Sequence, residues 1–311
     1  MIQPHSDEPL MLPKIDFAFK LIFGDQKHKH NTIAFLSAVL GVPKNDLTDI
    51  EIINSELLRE YKEDKKGILD VRVKTRRGRQ INIEIQILPT ESMPERTLYY
   101  WSKMYVSQLK AGDTYDQLKK CITINIVDFE CTPLKQVHSC YHLREDSQEH
   151  RLTDVLEVHF LELPKLFRED GLANADDALL QWLMFIDGRS KEVLEMLSHK
   201  NQDIATAYDL LKIISQEDRA RMAYEARKAE LMDQRSRIKS ALAKGEEIGV
   251  KKSDQIGIKK GERIVTIKII RSLLANGMDV EKIAALTGVD INTVLEIQND
   301  SGFALPLDEG S

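Results

Sequence analysis

The sequence predicts an α/β protein: a mixed sheet flanked by helices, continuing into an all-helical C-terminal part. Three observations carry this. Residues Gly67 to Lys74 and Gln80 to Ile87 alternate apolar and polar side chains around a short turn, the pattern of a half-buried hairpin. Two further apolar runs, Lys120 to Asp128 and Leu156 to Leu163, have the length and composition of buried strands. Helical patterns lie between strands, and from Asp176 onward they take over.

Taken in order, Met1 to Leu12 reads as a loose start. Ile15, Phe19, Ile22 and Phe23 then fall on one helical face, with Asp16 and Lys20 together on another, four residues apart. Asn31 to Leu40 is a second helix, stopped by Gly41 and Pro43. Ile50 to Leu58 reads as strand. Past Pro89 and Pro94 comes a helix from about Glu95 to Lys110, on which Leu98, Trp101, Tyr105 and Leu109 form a stripe expected to face the core. Arg96 and Tyr100 are one turn apart on it. Ala178 to Asp187, Glu192 to Leu197 and Ile204 to Ile214 are successive helices, and Asp218 to Lys244 is a long helix of alternating charge.

The hairpin is where chemistry is expected. A three-residue loop, Arg76-Arg77-Gly78, with Gly78 in the left-handed conformation, pairs Thr75 with Arg79. Counting outward puts Asp70 across from Glu84, with Gln86 diagonal to it. Two facing carboxylates repel unless a positive charge sits between them, and a hard divalent cation, typically Mg²⁺, fits. The competing reading is a solvated polar face, ordinary in antiparallel sheets. Basic residues crowd the same region: Arg59, Lys62, Lys65, Lys66, Arg72, Lys74, Arg76, Arg77 and Arg79, against Glu60, Glu63, Asp64 and Asp70. Such a patch beside paired acids can hold a phosphate backbone near a metal, though 62–66 read equally as a solvated charged loop.

In this setting Ile68-Leu69-Asp70 and Ile83-Glu84-Ile85-Gln86 resemble the core of the PD-(D/E)XK nuclease superfamily, in its branch of Rpn-type recombination-promoting nucleases and transposases. The segment Asp16 to Gly24, the run Arg96 to Trp101, Gly112-Asp113-Thr114-Tyr115, the strand Ile122 to Val127 and Leu161-Glu162-Leu163-Pro164-Lys165 follow in the family's order. The likeness extends from about Leu12 to Gly261. It implies a restriction-endonuclease-like fold and a Mg²⁺- or Mn²⁺-dependent endonuclease acting on DNA in mobility, recombination or defence. Asp70 and Glu84 would be the metal ligands, and Asp70, Glu84 and Gln86 the catalytic set. Many relatives carry a lysine where Gln86 stands; glutamine can orient water but cannot supply positive charge. Arg72 or Arg96 is a candidate to supply it. The first helix often lends such sites an acid, which makes Asp16, with Lys20 beside it, a candidate support, although an ion pair between the two accounts for them as well. Related nucleases often have glutamine at the position of Arg96. Here the arginine could clamp phosphate or pair with Glu84, with Tyr100 beside it. Arg72, Lys74, Arg76 and Arg77 are the candidate DNA contacts.

Composition sets outer bounds. The 311 residues carry a net charge of −6, with 42% hydrophobic and 30% charged residues, which does not by itself advertise nucleic-acid binding. The longest apolar run, Leu179 to Ile186, is too short to cross a bilayer, and Met1 to Pro9 lacks the build of a secretory signal, so a cytoplasmic protein is expected. Cys121, Cys131 and Cys140 are odd in number and lack a C-x-x-C spacing. Cys131, His138, Cys140 and His142 match no common structural zinc spacing and are read as ordinary loop and strand residues.

The expected organisation is a nuclease domain over 12–170, a helical extension over 171–243, a Gly/Lys/Glu-rich linker over 244–263, a helical module over 264–299 and a disordered tail over 300–311. Glycine weakens helices, so the linker is expected to be flexible or marginally helical. In the module, Ala284, Gly288 and Val294 have the spacing of a helix-turn-helix. Past Lys282, however, there is no lysine or arginine, while Asp290, Glu296, Asp300, Asp308 and Glu309 are acidic. Phosphate would be repelled, so the module is read as an interaction or homo-oligomerisation element. The alternative reading of the whole chain is a catalytically weak or inactive DNA-binding or protein-interaction module that keeps the nuclease fold.

Overall fold

In the computed structural model, which describes residues 9–53, 70–90, 92–168 and 176–299, the hairpin turns where its glycine dictates. Gly78 sits at φ +83°, its N–H donates to Thr75 O at 2.9 Å, and Thr75 N donates to Arg79 O at 2.9 Å. The strands Val71–Thr75 (β2) and Gln80–Gln86 (β3) then run antiparallel with Val71 opposite Ile83, Arg72 opposite Asn82 and Val73 opposite Ile81. One further step puts Asp70 opposite Glu84, the expected register.

Around this hairpin the element order is α1 (Asp16–Phe23), α2 (Lys29–Leu40), β1 (Ile50–Ile53), β2, β3, α3 (Met93–Val106), β4 (Cys121–Val127), β5 (His138–Tyr141), β6 (Leu156–Glu162), α4 (Ala178–Asp187), α5 (Lys191–Lys200), α6 (Gln202–Gln216), α7 (Asp218–Ala275), α8 (Val280–Thr287) and α9 (Ile291–Asn299). The six strands form one sheet in the order β1-β2-β3-β4-β6-β5. The β3–β4 and β4–β6 pairs are parallel and the others antiparallel. This is the expected mixed sheet flanked by helices, with β3 and β4 central and buried on both faces.

The two faces differ in kind. Val71, Val73, Ile81, Ile83, Ile85, Ile124 and Ile126 point into the main core, which α1, α2, α4 and α6 complete. Phe19, Phe23, Phe35 and Trp182 interlock there, with Phe23 and Trp182 edge to face at 5.6 Å. The opposite face carries Asn82, Glu84, Thr123 and Asn125, all buried, and α3 lies over it. Thr97 of α3 donates its hydroxyl to Met93 O at 2.9 Å and to Asn125 Oδ1 at 3.2 Å.

That polar contact corrects the expected stripe on α3. The buried positions are Met93, Thr97, Tyr100 and Met104, while Leu98 is exposed. Trp101 and Tyr105 are half-buried and stacked on each other, ring centres 4.8 Å apart, beside Tyr100, Met104 and Cys121. A sheet face lined with polar groups favours a helix that can answer with a hydroxyl, and apolar periodicity does not register such a side chain.

Residues 9–233 form one compact unit with this sheet, and 234–299 belong to a second. Within the second, Ile270, Ile283, Val294 and Ile297 make a small core of their own across the end of α7, α8 and α9. Thr293 N donates to Asp290 Oδ1 at 3.0 Å, capping α9 as expected. The Gly/Lys/Glu-rich stretch 244–263, expected to be flexible or marginally helical, is helical throughout, within α7. Pairs such as Glu247 and Lys251, 2.7 Å apart on one face, offset part of what its glycines cost. The strand expected over 50–58 is described only as far as Ile53; 300–311 and the bases Arg59, Lys62, Lys65 and Lys66 lie outside the described residues.

Candidate active site

Asp70 stands just ahead of β2, one step beyond the Val71–Ile83 pair, and Glu84 near the end of β3 on the polar side of the sheet, near enough that the charge on Asp70 acts on Glu84. Asp70 Oδ2 accepts the Ile85 N–H at 2.8 Å, which fixes the carboxylate against the central strand. Its Oδ1 is 3.0 Å from Nζ of Lys20, brought in by α1. Glu84 is 1% exposed; its Oε1 accepts from Arg96 Nη2 at 2.8 Å, and its Oε2 is buried with no hydrogen-bond partner among the described residues. The Arg96 guanidinium lies over the Tyr100 ring, 4.9 Å from its centre.

Burial pushes both carboxyls above the ordinary carboxylate range. For Asp70, Lys20 and the Ile85 N–H pull the other way, and Asp16 adds to the rise. For Glu84, burial again dominates, Arg96 opposes it, and the charge on Asp70 adds to it. Arg96 is held above its ordinary value because Glu84 outweighs the cost of its own burial. So the paired cations do not fully compensate the two acids. A single added positive charge would relieve both, and Glu84 Oε2 is the oxygen left over to bind it.

Donor chemistry therefore fits a hard divalent ion. Asp70 and Glu84 would hold it, both as oxygen ligands, with Lys20 and Arg96 present as the positive charges of the protein itself. Buried Asn82 and Thr123 on the same face also have side-chain atoms without partners among the described residues.

The other predicted site residues divide. Gln86 is half-buried on the same side of β3 as Glu84. Lys20 does not pair with Asp16. It reaches Asp70, and Asp16 instead receives a bidentate contact from Arg227 of α7, Nε 2.9 Å from each of its oxygens. Of the two readings of Arg96, the ion pair with Glu84 is the one formed. Arg72 is half-buried and donates to Gln80 Oε1 at 2.6 Å, so it faces the protein rather than solvent. Lys74, Arg76 and Arg77 are exposed around the turn, Arg76 lying 3.5 Å from Asp49. Lys20 as the partner of Asp70 was not legible from the sequence, because nothing local relates a residue of the first helix to one at the start of the hairpin.

A six-stranded mixed sheet flanked by helices is the architecture of the restriction-endonuclease-like α/β class. Within that class, residues 13–241 match the family model described as PD-(D/E)XK nuclease family transposase. The match spans most of the chain, and the protein belongs to this family. No significant match was found among curated proteins or among solved structures. Membership carries a nuclease-type function, and nucleases of this kind generally work with divalent metals. No helix among the described residues is long and apolar enough to cross a membrane.

Proposed function

We propose that the chain is a divalent-metal-dependent DNA endonuclease, hydrolysing phosphodiester bonds with little sequence preference in DNA mobility, recombination or defence. The observation that carries this is the buried, unpartnered Glu84 Oε2, on a carboxylate that feels the charge of Asp70, with both carboxyls lifted by burial. Asp70 and Glu84 would hold a Mg²⁺ or Mn²⁺ ion, which would supply Lewis acidity toward the phosphate and lower the pKa of a bound water toward neutral pH. The remaining roles belong to the chain. Lys20 contributes the positive charge that Gln86 cannot, from α1 instead of from β3. Arg96 holds Glu84 in place, with Tyr100 supporting the guanidinium. Gln86 orients water by hydrogen bonds, and Lys74, Arg76 and Arg77 attract the phosphate backbone without reading bases.

The test is incubation of supercoiled plasmid with Mg²⁺ or Mn²⁺. The wild-type chain should nick it, and Asp70→Ala and Glu84→Ala should not. Equal nicking by all three would trace the activity to a contaminant and remove the catalytic assignment. A second reading is favoured by Gln86 and by the ion pairs already on both acids: a catalytically weak or inactive module that binds DNA or protein. Mobility shift of plasmid DNA without any cleavage, in wild type and variants alike, supports it. The same proposal assigns the chain to the cytoplasm and gives 264–299 a role in homo-oligomers. Truncation after Gly261 should then lower the mass measured by light scattering to that of a monomer.

A further inference from the structure

The edge of the sheet at β5 carries a second cluster, remote in chemistry from the paired acids. In the β5–β6 register Cys140 lies opposite His159, and one alternation further on the same count puts His142 opposite Glu157. A Cys-x-His on one strand thus faces a Glu-x-His on the other, and period-two alternation turns all four side chains to one side. Cys140 Sγ is 3.8 Å from His159 Nε2 and 3.9 Å from His142 Nδ1. His159 Nε2 is 2.9 Å from Glu157 Oε1, and His142 Nε2 is 3.1 Å from Glu157 Oε2. Ligand atoms of Cys140, Glu157 and His159 all lie within 4.8 Å of one another.

We infer that Cys140, Glu157 and His159, with His142 as a fourth donor, form a zinc site that clips the short edge strand β5 to β6. Ordinary zinc bond lengths put the ligand atoms of a tetrahedral site roughly 3.3–3.7 Å apart. Cys140 already stands 3.8 and 3.9 Å from the two histidines, and the wider separations, within 4.8 Å, would close by up to about 1 Å through side-chain rotation on binding. Thiolate and imidazole donors suit a borderline-soft ion such as Zn²⁺, whereas Mg²⁺ prefers oxygen alone. His159 is buried and its Nδ1 is engaged by His138 Nε2 at 2.8 Å, with the two rings stacked 5.1 Å apart. That contact aims Nε2 at Cys140 and Glu157, as supporting residues do at metal-bound histidines. Lys120 Nζ lies 2.6 Å from Glu157 Oε2, which leaves Oε1 as the ligand oxygen. The inference does not depend on the endonuclease proposal.

The experiment uses the full, tag-free chain stripped with a chelator and titrated with Co²⁺ and then with Zn²⁺ against a competing chromogenic chelator. The wild-type chain should develop a thiolate-to-cobalt charge-transfer band at one equivalent, lose it to Zn²⁺, and melt at higher temperature with Zn²⁺ bound. Cys140→Ser, at an exposed position, should abolish the band and weaken Zn²⁺ binding by about ten-fold or more. Cys131→Ser should keep both. The sulfur band separates this site from Asp70 and Glu84, which contain no sulfur. Absence of the band in wild type, or equal Zn²⁺ affinity in wild type and Cys140→Ser, would overturn the assignment. His142→Gln should weaken Zn²⁺ while leaving the sulfur band in place, and its failure to do so would remove His142 from the ligand set.

Discussion

Two buried glutamates of the same sheet, Glu84 on β3 and Glu162 at the end of β6, meet opposite treatment. Glu162 Oε1 accepts the Cys131 and Thr132 N–H groups at 2.8 and 3.1 Å, and Oε2 accepts from the Thr132 hydroxyl at 2.6 Å and from Lys165 Nζ at 2.5 Å. Lys165, itself buried, also donates to the Thr132 and Leu134 carbonyls. Burial raises the Glu162 carboxyl, but these bonds more than cancel it and hold it below its ordinary range. Glu84 has one ion pair, one empty oxygen and a raised carboxyl. A satisfied buried acid is a structural joint. One left partly unsatisfied retains affinity for something that is not protein.

Breaking the joint should give the largest effect. Lys165→Met strands the Glu162 charge without its cation, and urea unfolding should show a loss of about 3–5 kcal/mol. Adding Glu162→Gln should recover part of it, since the double variant removes the stranded charge. A loss below about 1 kcal/mol would mean that the backbone N–H groups suffice on their own.

The next effect exchanges stability for activity. Glu84→Gln should cut nicking by about 10²-fold or more, as removal of one preorganised group from a site does. Its folding stability at neutral pH should hardly fall, because it sheds a charge that burial disfavours. Glu162→Gln should do the reverse. Their pH dependences have opposite sign. The raised carboxyl of Glu84 favours the folded state below its unfolded value, and that contribution is lost as pH rises through the folded value, so Glu84→Gln gains on wild type with rising pH. The depressed carboxyl of Glu162 contributes above its ordinary range and loses this as pH falls through its folded value, so the penalty of Glu162→Gln grows with rising pH. Chemical unfolding across the acidic range measures both. Parallel curves would show that the two sites do not differ in the way their contacts imply.

How far the sequence foretold this contrast depends on the kind of signal. Alternation and one glycine were enough for the hairpin, because Gly78 fixes the loop and the loop fixes Asp70 opposite Glu84. The apolar run of β4 was legible as a buried strand for a similar reason, whereas β3, alternating isoleucine with Asn82, Glu84 and Gln86, read as half-buried and is in fact covered on its polar face as well. What escaped was contact between distant segments. Lys20 with Asp70, and Asp16 with Arg227, join residues that no local pattern relates. β5 is only four residues and has no apolar alternation, so its pairing with β6 was invisible, and with it the meeting of Cys140 and His159. The α3 face was misjudged because Thr97 is buried for its hydroxyl.

The smallest expected effect probes the turn that holds the open site together. At φ +83° an alanine in place of Gly78 carries a strain of about 1–2 kcal/mol. Its new methyl would also meet Lys119 Cγ at 3.0 Å, a contact the flexible lysine can relieve by moving. Gly78→Ala should therefore lower the melting temperature slightly, and Gly78→Asn less, since asparagine tolerates the left-handed region better. Nicking per folded molecule should stay within a few-fold of wild type, because the ladder from Thr75 to Val71 still sets Asp70 against Glu84. A collapse of nicking with stability intact would mean that the turn acts on the substrate directly, through the exposed Arg76 and Arg77, rather than by setting register. Reversing the charge of Arg77 alone would then reproduce the loss without touching the backbone.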